Sequence, residues 1–252
     1  ELRPHQIEAV GSIRQAMRDG HKRIMLGANV SFGKTIVAAH MMIEANNKGK
    51  RGVFICDRIQ LIEQTVQKFE QVGLNCGVIQ GIHEKTNPSA PIQIASIQTL
   101  ARRKMMLEFD FAIVDEAHTH YESLTKMMEC YNNVPFIGLS ATPYSKGLGK
   151  YYSKLIVPIT TRELLEKGFL CPVKYYAGEQ PDLETIKIKR DKNGIADYDP
   201  DQLSLAMEKP KLIGDAVETW LKLGEDSQTI AFCPSISHSR GLAEAFNSAG
   251  VK

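Results

Sequence analysis

Short apolar runs alternate along this chain with longer segments in which apolar residues recur every three or four positions. The short runs predict strands, and the longer pattern predicts helices. Strands alternating with helices indicate a parallel sheet in an α/β fold. Predicted strands cover residues 23–26, 53–56, 78–79, 92–96, 111–114, 136–139 and 155–157, and predicted helices follow Pro4 and cover residues 36–43, 59–72, 121–131 and 161–167.

The pattern becomes less regular after residue 170, where Leu170, Cys171 and Pro172 are typical of a linker. We therefore predict one domain over residues 1–170 and a second over residues 171–252. In the second domain the predicted strands are residues 173–176, 185–190 and 229–233, the predicted helices are residues 212–223 and 237–246, and residues 194–200 are rich in turn formers.

Polar clusters follow three of the predicted strands at the point where each strand ends. Residues 27–35 follow the first strand, residues 115–118 follow strand 111–114, and residues 140–143 follow strand 136–139. Ligands of parallel α/β sheets bind beyond the carboxyl ends of the strands. The three clusters are therefore expected to form one shared site.

The first cluster has the order of a phosphate-binding loop: a strand, small residues ending in Gly33-Lys34-Thr35, and then a helix. In such a loop the helix N–H groups hold phosphate, Lys34 reaches the β- and γ-oxygens, and the Thr35 hydroxyl ligates Mg²⁺. The competing interpretation is a helix start that carries Gly-Lys-Thr by chance.

Asp115 and Glu116 complete the argument for this site, because they end an apolar strand. One carboxylate can hold Mg²⁺, and the next can orient or deprotonate an attacking water. Ser140 and Thr142 could hydrogen-bond residues 115–118 and relay their state, or simply cap a helix before Pro143. His118 could sense a γ-phosphate, although a single histidine is also a common structural donor.

Composition limits the classes of function. Hydrophobic residues make up 43% and charged residues 24% of the chain, as in ordinary soluble proteins. The net charge of +2 excludes a global basic field, so any polyanion site must be local. Five scattered cysteines favour buried, reduced thiols in a cytosolic protein over a disulfide framework. No apolar run predicts a membrane span, and a first residue other than Met suggests a trimmed chain.

Taken in order, these motifs resemble those of superfamily 2 helicases and translocases, within them the DEAH-type branch that includes RadD-like repair helicases and type III restriction subunits. The resemblance implies a RecA-like P-loop domain followed by the first part of a second RecA-like domain. It also implies ATP and Mg²⁺ as cofactors, and hydrolysis coupled to movement on nucleic acid. The resemblance favours DNA over RNA, and it implies a protein in the cytoplasm of a bacterium or a phage-infected host, without a membrane partner.

The resemblance also assigns residues to the nucleotide. Lys34, Asp115 and Glu116 would be catalytic, Thr35 and Asp115 would ligate the metal, and Ser140 and Thr142 would couple hydrolysis to movement. The residues that would bind the nucleotide are Arg3 and Gln6 at the adenine, and Ala28, Asn29, Val30, Ser31, Phe32, Gly33, Lys34, Thr35 and His118 at the phosphates.

Two further motifs resemble those that contact the nucleic-acid backbone without reading sequence. Their candidate residues are Arg58, Gln60, Gln98, Thr99 and Arg102. Residues 102–104 are equally compatible with a solvated helix face. Residues 229–239 resemble motif IV at the start of the second RecA-like domain.

The chain departs from the family pattern in two ways. Ser31 replaces a glycine; if this position needs a positive φ, the serine costs about 1 kcal/mol and weakens nucleotide binding. The chain also ends before motifs V and VI, which carry an arginine finger worth about 10³–10⁵ in rate. We therefore expect the isolated chain to bind nucleotide, hydrolyse it poorly and not unwind.

Two alternatives stay open. The chain could be the motor of a restriction-type complex that translocates without unwinding. It could also be a non-catalytic clamp that binds nucleic acid in a nucleotide-dependent way.

Overall fold

The computed structural model describes residues 1–103, 107–119, 121–176, 181–190, 196–224 and 227–251. The chain divides into two compact units, Glu1–Pro172 and Val173–Lys252. Among the described helices, none is both long and apolar enough to cross a membrane.

The first unit is built on a seven-stranded sheet in which all the neighbouring strands pair in parallel. The parallel α/β sheet predicted from the sequence is thus confirmed. The strand order is β3-β4-β2-β5-β6-β1-β7. The strands are β1 (Arg23–Gly27), β2 (Gly52–Cys56), β3 (Gly77–Ile79), β4 (Ile92–Ser96), β5 (Phe111–Val114), β6 (Phe136–Ser140) and β7 (Lys154–Ile156).

Helices cover both faces of this sheet, which explains why its central strands are apolar throughout. Successive residues of a strand point to opposite faces. Accordingly, Ile24 and Leu26 pack with the helices of one core cluster, and Met25 packs in the other. The helices are α1 (Pro4–Arg18), α2 (Lys34–Asn47), α3 (Ile59–Gln71), α4 (Ile97–Arg103), α5 (Glu122–Cys130) and α6 (Thr161–Glu166), with a 3₁₀ turn at Leu148–Lys150.

Large side chains fill the core between sheet and helices. Phe54 of β2 and Phe69 of α3 are fully buried, and their rings meet edge to face at 5.6 Å between centroids. Truncating such a phenylalanine to alanine typically costs about 3–5 kcal/mol. This rigid layer fixes the loops that follow the strands.

The order of the strands decides which of those loops are close. β6 lies between β1 and β5, and β2 lies between β4 and β5. The loops after β1, β6 and β5 are therefore neighbours at the carboxyl ends of the strands. The segments that follow β2 and β4 lie at the same end of the sheet, on the other side of β5.

The second unit contains a two-stranded antiparallel sheet and three helices among the residues that the structure describes. The strands are β8 (Ile188–Arg190) and β9 (Ala196–Tyr198), and the helices are α7 (Pro200–Met207), α8 (Pro210–Leu223) and α9 (Ile236–Ser248). The predicted helices that became α8 and α9 are confirmed, whereas α7 was not predicted. Of the predicted strand 185–190 only three residues are strand, and residues 194 and 195 of the turn-rich stretch lie outside the described residues.

The strands predicted at residues 173–176 and 229–233 are wrong. Both stretches lack regular structure, and Ile230 and Phe232 are 82% and 94% exposed. A strand is stabilised only through a partner strand. The described part of the second unit has no strand beside these two runs, so their apolar residues do not form part of a sheet.

Candidate functional site

The loop between β1 and α2 is held at both ends by hydrogen bonds. The Ala28 amide donates to the Ser140 carbonyl over 2.8 Å, and the Asn29 side-chain amide donates to Thr161 Oγ1 over 2.7 Å. Lys34 Nζ donates to the Ala28 carbonyl over 3.2 Å. No side chain caps α2, and its first turn holds no acidic residue. The amides and positive dipole at this helix start are therefore available to an anion.

The loop needs two left-handed residues. Ser31 has φ 68°, the positive value at which a serine is expected to be strained. Gly33 has φ 86°, and a Cβ at this position would lie 2.5 Å from Gln6 Nε2. Position 33 therefore favours glycine for its conformation, and a side chain there would displace the Gln6 amide.

The start of α1 packs directly against this loop. Gln6 is buried; its Nε2 donates to the Phe32 carbonyl over 2.8 Å, and its Oε1 accepts from the Arg3 amide over 2.8 Å. His5 lies between the rings of Phe32 and Phe169, and its burial, together with the Arg3 charge, lowers its pKa. The exposed Arg3 guanidinium stacks over Phe169 at 5.2 Å. The two candidate adenine residues are thus placed beside the candidate phosphate loop.

The acidic pair lies at the end of β5. The Asp115 amide donates to the Ile55 carbonyl over 2.9 Å, and the Glu116 amide donates to Asp115 Oδ1 over 3.1 Å. Burial raises the pKa of Asp115, and the charge of Glu116 raises it further, while the Lys34 ammonium acts in the opposite direction. The structure therefore brings Lys34 into the electrostatic neighbourhood of Asp115, as one shared site requires. Glu116 has φ 46°.

Ser140 connects the acidic segment to the loop after β1. The His118 Nδ1 atom lies 3.0 Å from Ser140 Oγ and 3.2 Å from Glu116 Oε2. The Thr142 amide also donates to Ser140 Oγ over 3.0 Å, and Ser140 is fully buried. Because the Ser140 carbonyl accepts from Ala28, one residue contacts both halves of the candidate site.

The candidate nucleic-acid residues lie on α3 and α4 or just before them. Gln98 joins the two elements, because its Nε2 donates to the Asp57 carbonyl over 2.7 Å and its Oε1 accepts from Ser96 Oγ over 2.8 Å. The Thr99 amide donates to the same Ser96 hydroxyl over 3.3 Å. Arg58, Gln60 and Arg102 are exposed. Lys104, the last residue of the predicted basic run, lies outside the described residues.

Two connecting residues were not predicted from the sequence. The Tyr121 hydroxyl donates to Asp57 Oδ2 over 3.0 Å, and the Asp57 side chain is only 14% exposed. Burial and this hydrogen bond raise the pKa of Tyr121. The pair links the segment after the acidic residues to the residue that precedes Arg58. Since 64 positions separate the two residues, no local pattern could have indicated the contact.

The donor set suits a magnesium nucleotide. Thr35 and Asp115 offer a hydroxyl and a carboxylate, the hard oxygen ligands that Mg²⁺ prefers. Across the described residues no group of three or more His, Cys, Asp or Glu could hold a metal without help. Mg²⁺ is commonly bound by one or two carboxylates together with waters and substrate phosphate oxygens.

Comparison with solved structures shows the fold of the first unit to be RecA-like. The UvsW helicase from bacteriophage T4 superposes with a TM-score of 0.52 at 18% identity, over 63% of this chain and 60% of that chain. A nuclease-deletion mutant of the Type ISP restriction-modification enzyme LlaGI, solved with a DNA substrate mimic, superposes with a TM-score of 0.53 at 18% identity. That match covers 67% of this chain and 21% of LlaGI.

Sequence comparison leads to the same group of proteins. The endonuclease subunit of the type I restriction enzyme EcoAI from Escherichia coli is 25% identical in an alignment of 275 residues, gaps included, that covers 96% of this chain and 34% of that subunit. The chain spans less than half the length of the curated relatives it matches. The family model described as "Type III restriction enzyme, res subunit" matches residues 1–145. The chain belongs to this res-subunit family and contains a superfamily 2 helicase-type ATPase core.

Proposed function

We propose that this chain is the ATP-hydrolysing core of a motor that moves along nucleic acid, with DNA as its track. The observation that carries the proposal is the set of contacts joining the loop after β1, the acidic pair and Ser140. Family membership implies the use of ATP. The restriction subunit of Escherichia coli and the LlaGI structure with its DNA mimic support DNA rather than RNA.

Each group has a defined task in this proposal. The start of α2 and Lys34 bind the phosphates, and Thr35 and Asp115 hold Mg²⁺. The metal, when bound, reduces the charge that develops on the transferred phosphoryl group. Glu116 takes the proton from the attacking water. Arg3 contacts the nucleobase, and Gln6, whose amide already bonds to the protein, sets the position of the loop against it.

Coupling to movement would pass through the contacts of Ser140. The His118 ring touches both Glu116 and Ser140, so a change at the acidic pair alters the hydrogen bonding at the end of β6. The Ser140–Ala28 bond extends this connection to the phosphate loop. Residues 173–252 would belong to a second RecA-like domain.

A second candidate function is translocation without strand separation. The match to a type I restriction endonuclease subunit favours it, whereas the fold shared with the UvsW helicase favours unwinding. Both functions require the same ATP site. A strand-displacement assay beside an assay for removal of a protein roadblock from duplex DNA distinguishes them.

Glu116→Gln tests the proposal. The amide cannot accept the proton, so we expect ATP turnover to fall about 10²–10⁴-fold while the affinity for ATP stays within about twofold. Turnover is measured with and without single-stranded DNA, duplex DNA and RNA, and affinity with a fluorescent ATP analogue.

The matched control is Glu122→Gln, which neutralises an exposed carboxylate in the first turn of α5. This variant should keep wild-type turnover. Because slow hydrolysis is expected of the isolated chain, turnover is followed at high protein concentration. Equal turnover in wild type and Glu116→Gln under these conditions would reject a hydrolytic role for Glu116 and leave the nucleotide-dependent clamp as the better description.

A further inference from the structure

The loop that follows β3, residues 80–86, presents a fully exposed isoleucine at Ile82. We call this segment the Ile82 loop. A single exposed aliphatic side chain is common on protein surfaces and indicates nothing by itself. The way in which the backbone on both sides of Ile82 is fixed sets this residue apart.

Each neighbour of Ile82 is held by a different helix. The Gly81 carbonyl accepts a hydrogen bond from the Arg103 guanidinium of α4 over 2.6 Å. His83 Nε2 lies 2.9 Å from Glu63 Oε1 of α3. The tip is therefore positioned between α3 and α4, the two helices that carry the candidate nucleic-acid residues.

Further bonds within the loop restrain its shape. The Thr86 hydroxyl donates to the His83 carbonyl over 2.6 Å, and the Lys85 amide donates to His83 Nδ1 over 3.0 Å. Lys85 forms an ion pair with Glu70 of α3, and the Val78 amide donates to the Lys85 carbonyl over 3.0 Å. An apolar side chain on a restrained loop is preorganised for contact, because little conformational entropy is lost when a partner binds.

The charges on the two helices that hold the loop indicate the chemistry of that partner. Arg102 and Arg103 end α4, and Arg58 precedes α3, where Ile59 is a second exposed isoleucine. Of the nearby acids, Glu63 and Glu70 are paired with His83 and Lys85, and Glu84 is exposed. Cationic groups beside apolar side chains match a strand whose phosphates are charged and whose base faces are apolar.

We propose that the Ile82 side chain packs against the bases of a single strand whose phosphates are held by Arg58 before α3 and Arg102 at the end of α4. This inference rests on the proposed function, because it adds a base contact to the phosphate contacts already assigned. A base contact of this kind does not depend on sequence, since every base has an apolar face.

The test compares two strands of equal length and charge: a fluorescein-labelled oligothymidylate and an abasic deoxyribose phosphate strand. Anisotropy titrations are made with wild type, Ile82→Ala and the control Leu155→Ala, which shortens a half-exposed side chain on β7, the strand at the opposite edge of the sheet. We expect Ile82→Ala to weaken binding of the oligothymidylate about fivefold, to leave abasic-strand binding unchanged and to keep the salt dependence of wild type. Circular dichroism confirms that each variant is folded.

Other results would overturn the inference in distinguishable ways. If wild type binds both strands and Ile82→Ala binds them equally well, the base contact is absent but the proposed function stands. Equal weakening on both strands would show that the loop contacts the backbone rather than the bases. If wild type binds neither strand, the proposed nucleic-acid function fails together with the base contact.

Discussion

Ser31 and Glu116 are the non-glycine residues with positive φ in the described part of the chain, and both lie in the candidate site. A left-handed conformation costs a residue with a Cβ roughly 1–2 kcal/mol. Residues held in such conformations tend to lie at functional positions, where the surrounding structure fixes them. The two non-glycine residues with a left-handed backbone thus lie in the loops after β1 and β5, which also carry the candidate phosphate-binding and acidic residues.

Replacing Ser31 by glycine should tighten nucleotide binding. The glycine removes the Cβ and lets phosphate approach the backbone, so we expect the dissociation constant for ATP to fall about fivefold, equivalent to about 1 kcal/mol. Relief of the strain at φ 68° should appear instead in the free energy of unfolding. Isothermal titration calorimetry with a non-hydrolysable ATP analogue measures the change. Ser31→Ala is the control, because it removes the hydroxyl but keeps the Cβ and should bind like wild type. Unaltered affinity in Ser31→Gly would show that the Cβ does not hinder the phosphate.

Among single residues, the sequence predicted those whose role depends on their order along the chain. Lys34 and Thr35 were predicted because a strand, a small-residue loop and a helix are consecutive in the chain. The connection between Tyr121 and Asp57 could not be predicted, because it depends on β2 and β5 being neighbours in the sheet. The anchoring of Ile82 depends likewise on α3 and α4 lying beside the same loop.

At the scale of elements, Asp57 is the point where three segments meet. Its carbonyl accepts from Gln98, its Oδ2 accepts from Tyr121, and its buried Oδ1 has no hydrogen-bond partner among the residues that the structure describes. A buried carboxylate with few partners depends strongly on those it has. The segment after the acidic pair is thereby connected to the starts of α3 and α4.

Tyr121→Phe removes one of these partners and should uncouple the two surfaces. We expect stimulation of ATP turnover by single-stranded DNA to fall about fivefold and basal turnover to stay unchanged. The free energy of unfolding should fall by about 1–3 kcal/mol, because the Asp57 carboxylate loses a hydrogen bond. Steady-state ATPase assays and urea denaturation measure the two effects. The control is Tyr175→Phe at a highly exposed position, and a parallel loss of basal turnover would contradict the uncoupling.

Strands were predictable where a run of apolar residues also has a neighbouring strand to pair with. The seven strands of the first unit are apolar runs with a partner on at least one side, and each was predicted to within two residues at either end. Residues 229–233 show the same pattern but have no neighbouring strand in the described part of the second unit, so the pattern alone was insufficient. Hydrophobicity indicates which residues prefer burial, whereas strand formation also needs a hydrogen-bonding partner.

At the scale of the whole molecule, residues 173–176 are the first residues of the second unit and form neither helix nor strand. Val173 is 64% exposed and Tyr175 is 90% exposed. Backbone of this kind is the usual site of first proteolytic cleavage in a folded protein. The division of the chain can therefore be tested directly in solution.

Limited proteolysis with trypsin or chymotrypsin should cut first at Lys174, Tyr175 or Tyr176. We expect a fragment that extends from residue 1 to the cut, and it should keep a cooperative thermal transition, because the seven-stranded sheet and both of its core clusters lie within Glu1–Pro172. Mass spectrometry identifies the cut, and differential scanning calorimetry follows the transition. A first cut inside the sheet would show that the division between the units was placed wrongly.

The position of β6 between β1 and β5 also bears on how far such sequences can diverge. Adjacent strands lie about 4.8 Å apart. The loops that follow β1 and β5, the two neighbours of β6, therefore begin about 10 Å from each other. Backbone hydrogen bonds set this distance, and nearly every amino acid can supply them. Substitutions that keep the strands apolar therefore leave it unchanged, and LlaGI can share the fold at 18% identity. Inserting one more strand beside β6 would separate Lys34 from Asp115. We therefore expect evolution to change the residues that form the strands and to keep the order of the strands in the sheet.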